Sequence, residues 1–330
     1  MAGEGRIQSM DRRGFLLTAA AVPIGLALRE DAIASTRGAS VALVTADLED
    51  EVVVLDPSSA RTLARIPTAP GPRSIEAVDS RLAVAAHTRA GLVSVIDAAT
   101  REVRFELDGF AAPRYTAVHP SRRIAYVTDS AASEVVTVDV PRGRILSRTA
   151  VPGPARHVSL DPSGSVLWTS LGSKAERIAV LGIDEPRRPR LERTITPSFL
   201  AHDVVFAPDG RHAWVTSGAG RRIAIHRVAT REVVRVLEAD RAPQHVAFVA
   251  ELAFVASGDD GMMRVHRLDG RLLRRVDVPL GSYNVSYGSG RAVTASLSLG
   301  TVSFLDDTGR VRAVRDVARA AHDACIVLRP

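Results

Sequence analysis

The sequence predicts an all-β fold, a seven-bladed β-propeller of four-stranded antiparallel blades, on three observations. From residue 41 onward the chain repeats with a period of about 40 residues, as units 41–78, 79–121, 122–164, 165–210, 211–250, 251–290 and 291–330. Each unit carries four short β-type runs separated by turn residues. No helical pattern of ten or more residues separates the runs, so a parallel α/β sheet is disfavoured. A β-sandwich would leave the sevenfold period unexplained, whereas seven units of this length suit a closed ring.

The first run of each unit is apolar and alternates small with large. It reads Val41-Ala42-Leu43-Val44, Leu82-Ala83-Val84-Ala85, Ile124-Ala125-Tyr126-Val127 and so on through Ala292-Val293-Thr294-Ala295. Tapered packing between blades requires such an alternation. The second run ends in a turn former at Asp56-Pro57, Asp97-Ala98 and Asp139-Val140-Pro141. The third run holds Arg65, Arg104, Arg148, Arg193, Arg235, Arg274, Arg275 and Arg315. On an outermost strand these charges guard an open sheet edge against pairing with another chain. The fourth run ends near turns such as Pro208-Asp209-Gly210. The repeat frame begins at a blade's second strand and ends with a first strand. Residues Asp323 to Leu328 are therefore expected to join the strands at 41–68 in one blade and close the ring.

The chain has 330 residues, 46% hydrophobic and 24% charged, enough apolar material for a packed core and too little charge for disorder. Aromatics at 4% are too few for an extended base-stacking platform. Cys325 is the only cysteine, which excludes an intramolecular disulfide framework and any multi-cysteine metal site. The net charge of +6 comes from arginines spread along the chain, with Lys174 the only lysine, so a solvated basic surface accounts for it without nucleic acid. The longest apolar stretch, Phe15 to Leu28, is too short to span a bilayer. Residues 1–34 stand apart. Arg12-Arg13 is followed by Gly14-Phe15-Leu16-Leu17, the apolar stretch, and a small-residue site at Ala32-Ile33-Ala34. This segment resembles a twin-arginine export signal, with Asp11 where that signal usually has Ser or Thr. The resemblance implies export to the periplasm or beyond, with 35–40 as a short linker and 41–330 as the propeller. No transmembrane segment is expected in the mature chain, and a monomer is expected.

In a propeller the innermost strands begin at the mouth of a central channel, so their first residues converge there. Aligning the units gives two rings. One holds Arg73, Arg114, Arg156, His202, Gln244, Tyr283 and His322; the adjacent one holds Ser74, Tyr115, His157, Asp203, His245, Asn284 and Asp323. Arg73, Arg114 and Arg156 come from consecutive units and can clamp a carboxylate or phosphate. His157, Asp203 and His245 are also consecutive, and offer a metal constellation or a His–carboxylate pair for general-base work. Tyr115, Asn284 and Asp323 complete the ligand-facing set. No cofactor is predicted, although a divalent metal at the channel mouth is compatible with these side chains. The bland alternative is a polar plug whose histidines hydrogen-bond to neighbouring loops. Glu76 occupies a position where other units have small residues, so it is either a base, a partner for Arg114, or a solvated channel acid. His226 and His266 recur in equivalent second runs and read as blade packing, and Cys325 reads as a buried inert thiol.

Ala125-Tyr126-Val127-Thr128-Asp129 and Val204 through Thr216, which includes Pro208-Asp209-Gly210 and Ala213-Trp214-Val215-Thr216, resemble the YVTN repeats of exported YncE-like propellers. Asp129 and Ser217 stand where that family often has Asn. The resemblance implies a seven-bladed propeller acting as a ligand- or protein-binding module, and nucleic-acid binding is known among such relatives. A partial resemblance to 6-phosphogluconolactonase-type lactonases rests on Gly153-Pro154-Ala155-Arg156-His157-Val158 and Asp161-Pro162-Ser163-Gly164. It implies a hydrolase acting on an acidic substrate through His157, Asp203 and His245. Trp168-Thr169-Ser170-Leu171 lacks the Asn-Glu pair of that family. The readings therefore stay open between a binder of a small anion or a protein, a lactonase-type hydrolase, and a nucleic-acid binder.

Overall fold

The computed structural model describes residues 40–328. The twin-arginine-like segment 1–34 and the linker up to residue 39 lie outside the described residues. Among those described, 28 strands, β1 to β28 in chain order, form seven four-stranded antiparallel sheets. The last strand, β28 (Ala321–Val327), pairs with the first, β1 (Val41–Ala46); β2 (Glu51–Leu55) and β3 (Thr62–Pro67) follow outward. N- and C-terminal segments thus share one blade and close the ring, as the repeat frame requires. The other six blades run consecutively: β4–β7 (72–107), β8–β11 (113–150), β12–β15 (155–195), β16–β19 (204–238), β20–β23 (243–277) and β24–β27 (286–316).

Packing follows from the two-residue period of a strand. Both faces of each blade are covered by neighbours, so alternate residues enter two different cores. In β1, Ala42, Val44 and Ala46 pack against Val293, Val302 and Phe304 of the last blade. Val41 and Leu43 pack the other way, against Ile75, Ala83 and Ile96. Seven such clusters, one per blade junction, make up the core. The two tryptophans anchor equivalent positions. Trp168 meets Phe206 and His226 edge-on, and Trp214 meets Phe248 and His266 edge-on. His226 and His266 donate from Nδ1 to the carbonyls of Arg231 and Gly270, so both serve blade packing.

All eight outer-run arginines lie on the outermost strands. Several also tie the rim together. Arg65 pairs with Glu51 and donates to the Val317 carbonyl of the next blade; Arg148 pairs with Glu134 and donates to the Gly109 carbonyl. No helix among the described residues is long and apolar enough to cross a membrane.

Candidate functional site

The innermost strands are β4 (Pro72–Ala77), β8 (Pro113–Val118), β12 (Ala155–Leu160), β16 (Val204–Phe206), β20 (Pro243–Val249), β24 (Ser286–Gly288) and β28. In a regular strand two successive residues point to opposite faces, so a ring two residues deep needs a local irregularity. A β-bulge supplies it. In β8, Pro113 pairs with Asp129 and Thr116 with Val127, leaving Arg114 and Tyr115 together opposite the single residue Thr128. The same shift places Arg156 and His157 opposite Ser170, Gln244 and His245 opposite Ala256, and His322 and Asp323 opposite Thr45. Proline opens β4, β8 and β20, where a missing N–H costs no ladder bond.

At three of these bulges, and at the break before β16, backbone groups lose their ladder partners and a hydroxyl meets them. Thr128 accepts from the Tyr115 N–H at 3.1 Å and donates to the Arg156 carbonyl of the next blade at 2.5 Å. Ser170 accepts from the His157 N–H at 3.2 Å and donates to the His202 carbonyl at 2.8 Å. Thr216 accepts from the Asp203 N–H at 3.1 Å and donates to the Gln244 carbonyl at 2.8 Å. Thr45 accepts from the Asp323 N–H at 2.9 Å and faces the Arg73 carbonyl at 3.5 Å. A belt of four buried hydroxyls therefore ties four blades to the next one at the level of the rings. The residue types of the two rings carry no sign of these hydroxyls. Their signal was the Thr or Ser recurring as the fifth residue of four second strands.

The ring residues enclose two cavities along the axis. The outer vestibule, about 150 Å³, is lined by Arg73, Tyr115, Arg156, His202, Gln244, His245, Tyr283, Asn284, Leu297, His322 and Asp323. The deeper channel, about 320 Å³, is lined by Glu76, Tyr115, His157, Asp203, His245, Asn284 and Asp323 together with apolar strand residues such as Val158 and Val246. Tyr115, His245, Asn284 and Asp323 border both and form the partition.

The arginines dominate the vestibule. None of Arg73, Arg114 and Arg156 has a carboxylate ion pair among the described residues, and the Nε groups of Arg73 and Arg156 are buried without a hydrogen-bond partner there. Burial and the nearby Arg156 and Arg73 charges lower the Arg114 pKa; burial lowers that of Arg156. Arg114 does not line the vestibule; its Nε donates to the Ser130 hydroxyl at 3.1 Å. Ser74 is structural, its hydroxyl donating to the Arg114 carbonyl.

Several of the sequence-derived site residues are committed to local partners. Asn284 donates from Nδ2 to the Asp323 carboxylate at 2.7 Å and to the His322 carbonyl, and accepts from the Ala295 N–H at 3.0 Å. The Tyr283 hydroxyl donates to Asp259 at 2.7 Å, and burial with that contact pushes its pKa up to about 12. A Cβ on Gly258 would overlap the Tyr283 ring, so any other residue there must displace that ring. His322 faces Asp47 at 3.6 Å, and burial lowers its pKa. His87 and Asp129, at the ends of second strands on the same face, hold loops. His87 donates to the Ala69 carbonyl, and Asp129 accepts from the N–H groups of Ala111 and Ala112. Glu76 has no ion pair with Arg114; it lies in the deeper channel near Asp323 and Cys325. Burial, reinforced by the Asp323 charge, pushes its pKa up to about 8. Burial also raises Asp323 to about 6, and keeps the Cys325 thiol protonated.

The histidines group differently from the sequence expectation. Nitrogen atoms of His157, His202 and His245 all lie within 4.8 Å of one another. Asp203 sits behind them, its Oδ2 3.4 Å from His245 Nδ1, with Oδ1 accepting from the Val204 N–H. The cause is local. β16 starts only at Val204, and the Ala201–Ala175 bridge before it carries the His202 side chain inward. Gly218, at φ 62° and close beneath His202, leaves room for that ring. Burial pushes His157 well below the ordinary histidine range and His202 down to about 4, so both are neutral near pH 7. Burial opposes protonation of His245 too, but the hydrogen bond and charge of Asp203 outweigh it and its pKa is raised. The Tyr115 ring stacks on His157 at 4.0 Å between centroids.

No protein-family model matches the chain, and no curated protein does. Comparison with solved structures gives 1657 matching chains, so the architecture by itself selects no chemistry. A chain of the Kuenenia stuttgartiensis hydrazine synthase superposes with a TM-score of 0.71 at 16% identity, over 80% of this chain and 91% of that one. The likeness is one of fold. It agrees with the seven-bladed propeller and carries no ligand or reaction across.

Proposed function

We propose that this chain is an exported binding propeller, related to the YVTN-type repeat proteins, whose vestibule takes a small carboxylate or phosphate ligand. One observation carries the reading: Arg73 and Arg156 converge on the vestibule with no carboxylate ion pair among the described residues, each with a buried Nε that has no hydrogen-bond partner there. Burying a guanidinium without a counter-charge is costly, and an anion that accepts a fork of its N–H groups offsets that cost. The vestibule volume suits a ligand of a few heavy atoms to a short di-acid. Export is supported by the twin-arginine-like segment, and a monomeric state is part of the same reading. Both are tested by fractionation and by light scattering.

The binding test is calorimetric titration of the purified protein with phosphate, succinate and citrate. At least one should bind, and Arg156→Gln or Arg73→Gln should weaken it by about tenfold or more, as for loss of a charge-assisted bond. Arg65→Gln, on an outermost strand, should not. Binding of a single-stranded oligonucleotide that falls steeply with salt and ignores Arg156→Gln would instead favour nucleic acid.

A second reading, a lactonase-type hydrolase, is favoured by the Asp203–His245 contact, which orients the imidazole as a general base must be oriented. Turnover on a panel of acidic lactones, lost in His245→Ala, would support it.

A further inference from the structure

We propose that His157, His202 and His245 form a site for a first-row divalent transition metal of the zinc class, set in the partition between vestibule and channel. The site stands on observations separate from the arginines. The three histidines come from consecutive blades, and each offers a nitrogen within 4.8 Å of the other two. For three atoms so spaced there is always a point no more than about 2.8 Å from every one of them. Small rotations of the rings then reach the ~2.0–2.1 Å of a zinc–imidazole bond.

The available lone pairs fit. His202 Nδ1 lies 3.0 Å from the Ser173 carbonyl, which only accepts, so Nδ1 carries the proton and Nε2 is left as the electron-pair donor. That Nε2 is buried with no hydrogen-bond partner among the described residues. His245 turns Nδ1 toward the Asp203 carboxylate, leaving its Nε2 for a metal. A histidine ligand backed by a carbonyl and another backed by a carboxylate is the usual outer arrangement of metal-bound imidazoles. His157 is decisive. It is 1% exposed, yet neither ring nitrogen makes a hydrogen bond among the described residues. The packing histidines His87, His226 and His266 each satisfy Nδ1 with a backbone carbonyl. A histidine placed only to fill a polar plug would do the same. His157 is held instead by its backbone, through Ser170, and by the Tyr115 ring, and neither nitrogen makes a hydrogen bond among the described residues. His157 borders the channel, His202 the vestibule and His245 both, so three protein ligands leave further coordination positions for water or for a ligand atom.

The test uses the untagged protein, stripped with chelator and titrated with Co²⁺ and then Zn²⁺. One Co²⁺ per chain should bind, with visible absorption of low-coordinate cobalt, and be displaced by Zn²⁺. His157→Ala and His202→Ala should each lower affinity by about 100-fold or more, and Asp203→Asn by about 10–100-fold, the cost of losing an outer partner. His226→Ala should leave affinity within about threefold, which controls for general loss of buried histidine. Should His157→Ala fail to fold, His157→Gln and His202→Gln supply the comparison. Absence of stoichiometric Co²⁺ uptake by the folded wild type overturns the proposal, as does uptake unchanged in the His157 and His202 variants. Anion binding by the metal-free protein is scored separately, so failure of one site does not imply failure of the other.

Discussion

Thr216 shows how single residues set this site. Its hydroxyl meets the Asp203 N–H and the Gln244 carbonyl, two groups that the strand irregularity removes from the ladder. Thr216→Val keeps the shape but strands both groups, and should destabilise the protein by about 1–3 kcal/mol in urea unfolding. Wild-type stability in that variant would refute a structural role for the hydroxyl belt. Glu76 provides the pH prediction. It lines the channel facing Asp323 and Cys325, and its carboxyl is raised from 4.5 to about 8. The folded state therefore binds the proton more tightly than the unfolded state does. The stabilisation is fully present below about pH 4.5 and is lost as pH rises through about 8. Glu76→Gln should flatten the fall in melting temperature across that interval, and an unchanged slope would contradict the assignment.

The elements explain how far the sequence could be read. Blade number, strand order and the destination of the outer arginines follow from period and residue type, because a two-residue alternation buried on both faces can be met only between blades. The convergence of Arg73, Arg156 and His245 also follows, since the first residues of inner strands share one depth. The bulges were not legible, because nothing in Arg114-Tyr115 or Arg156-His157 marks an unpaired residue. For the same reason His202, rather than Asp203, meets the other two imidazoles: the late start of β16 is set by the Ala175–Ala201 bridge between segments far apart in sequence. At this scale Gly258 gives a sharp test. Gly258→Ala must displace the Tyr283 ring from Asp259, so the tyrosine should titrate nearer its ordinary value by ultraviolet absorbance. Retention of the elevated value would mean that the ring has not moved.

At the scale of the whole molecule, the closing blade joins both ends of the described chain. β28 supplies Ala321, Ala324 and Ile326 to one blade junction and Cys325 and Val327 to the next. It also carries His322 and Asp323 into the vestibule wall. Truncation after Ala320 would expose the edge of β1 and open two cores at once. The cooperative thermal transition should disappear, and a sharp transition at the wild-type midpoint would argue against closure through this strand.

The central claim is that the ring gathers arginines without ion pairs at one mouth of its channel to hold an anion. Diffraction from crystals soaked in selenate, collected at the selenium edge, tests it most directly. The account predicts an anomalous peak in the vestibule within hydrogen-bonding reach of Arg73 and Arg156, lost in Arg156→Gln crystals. Peaks confined to the outer-strand arginines, with none in the vestibule, would contradict it.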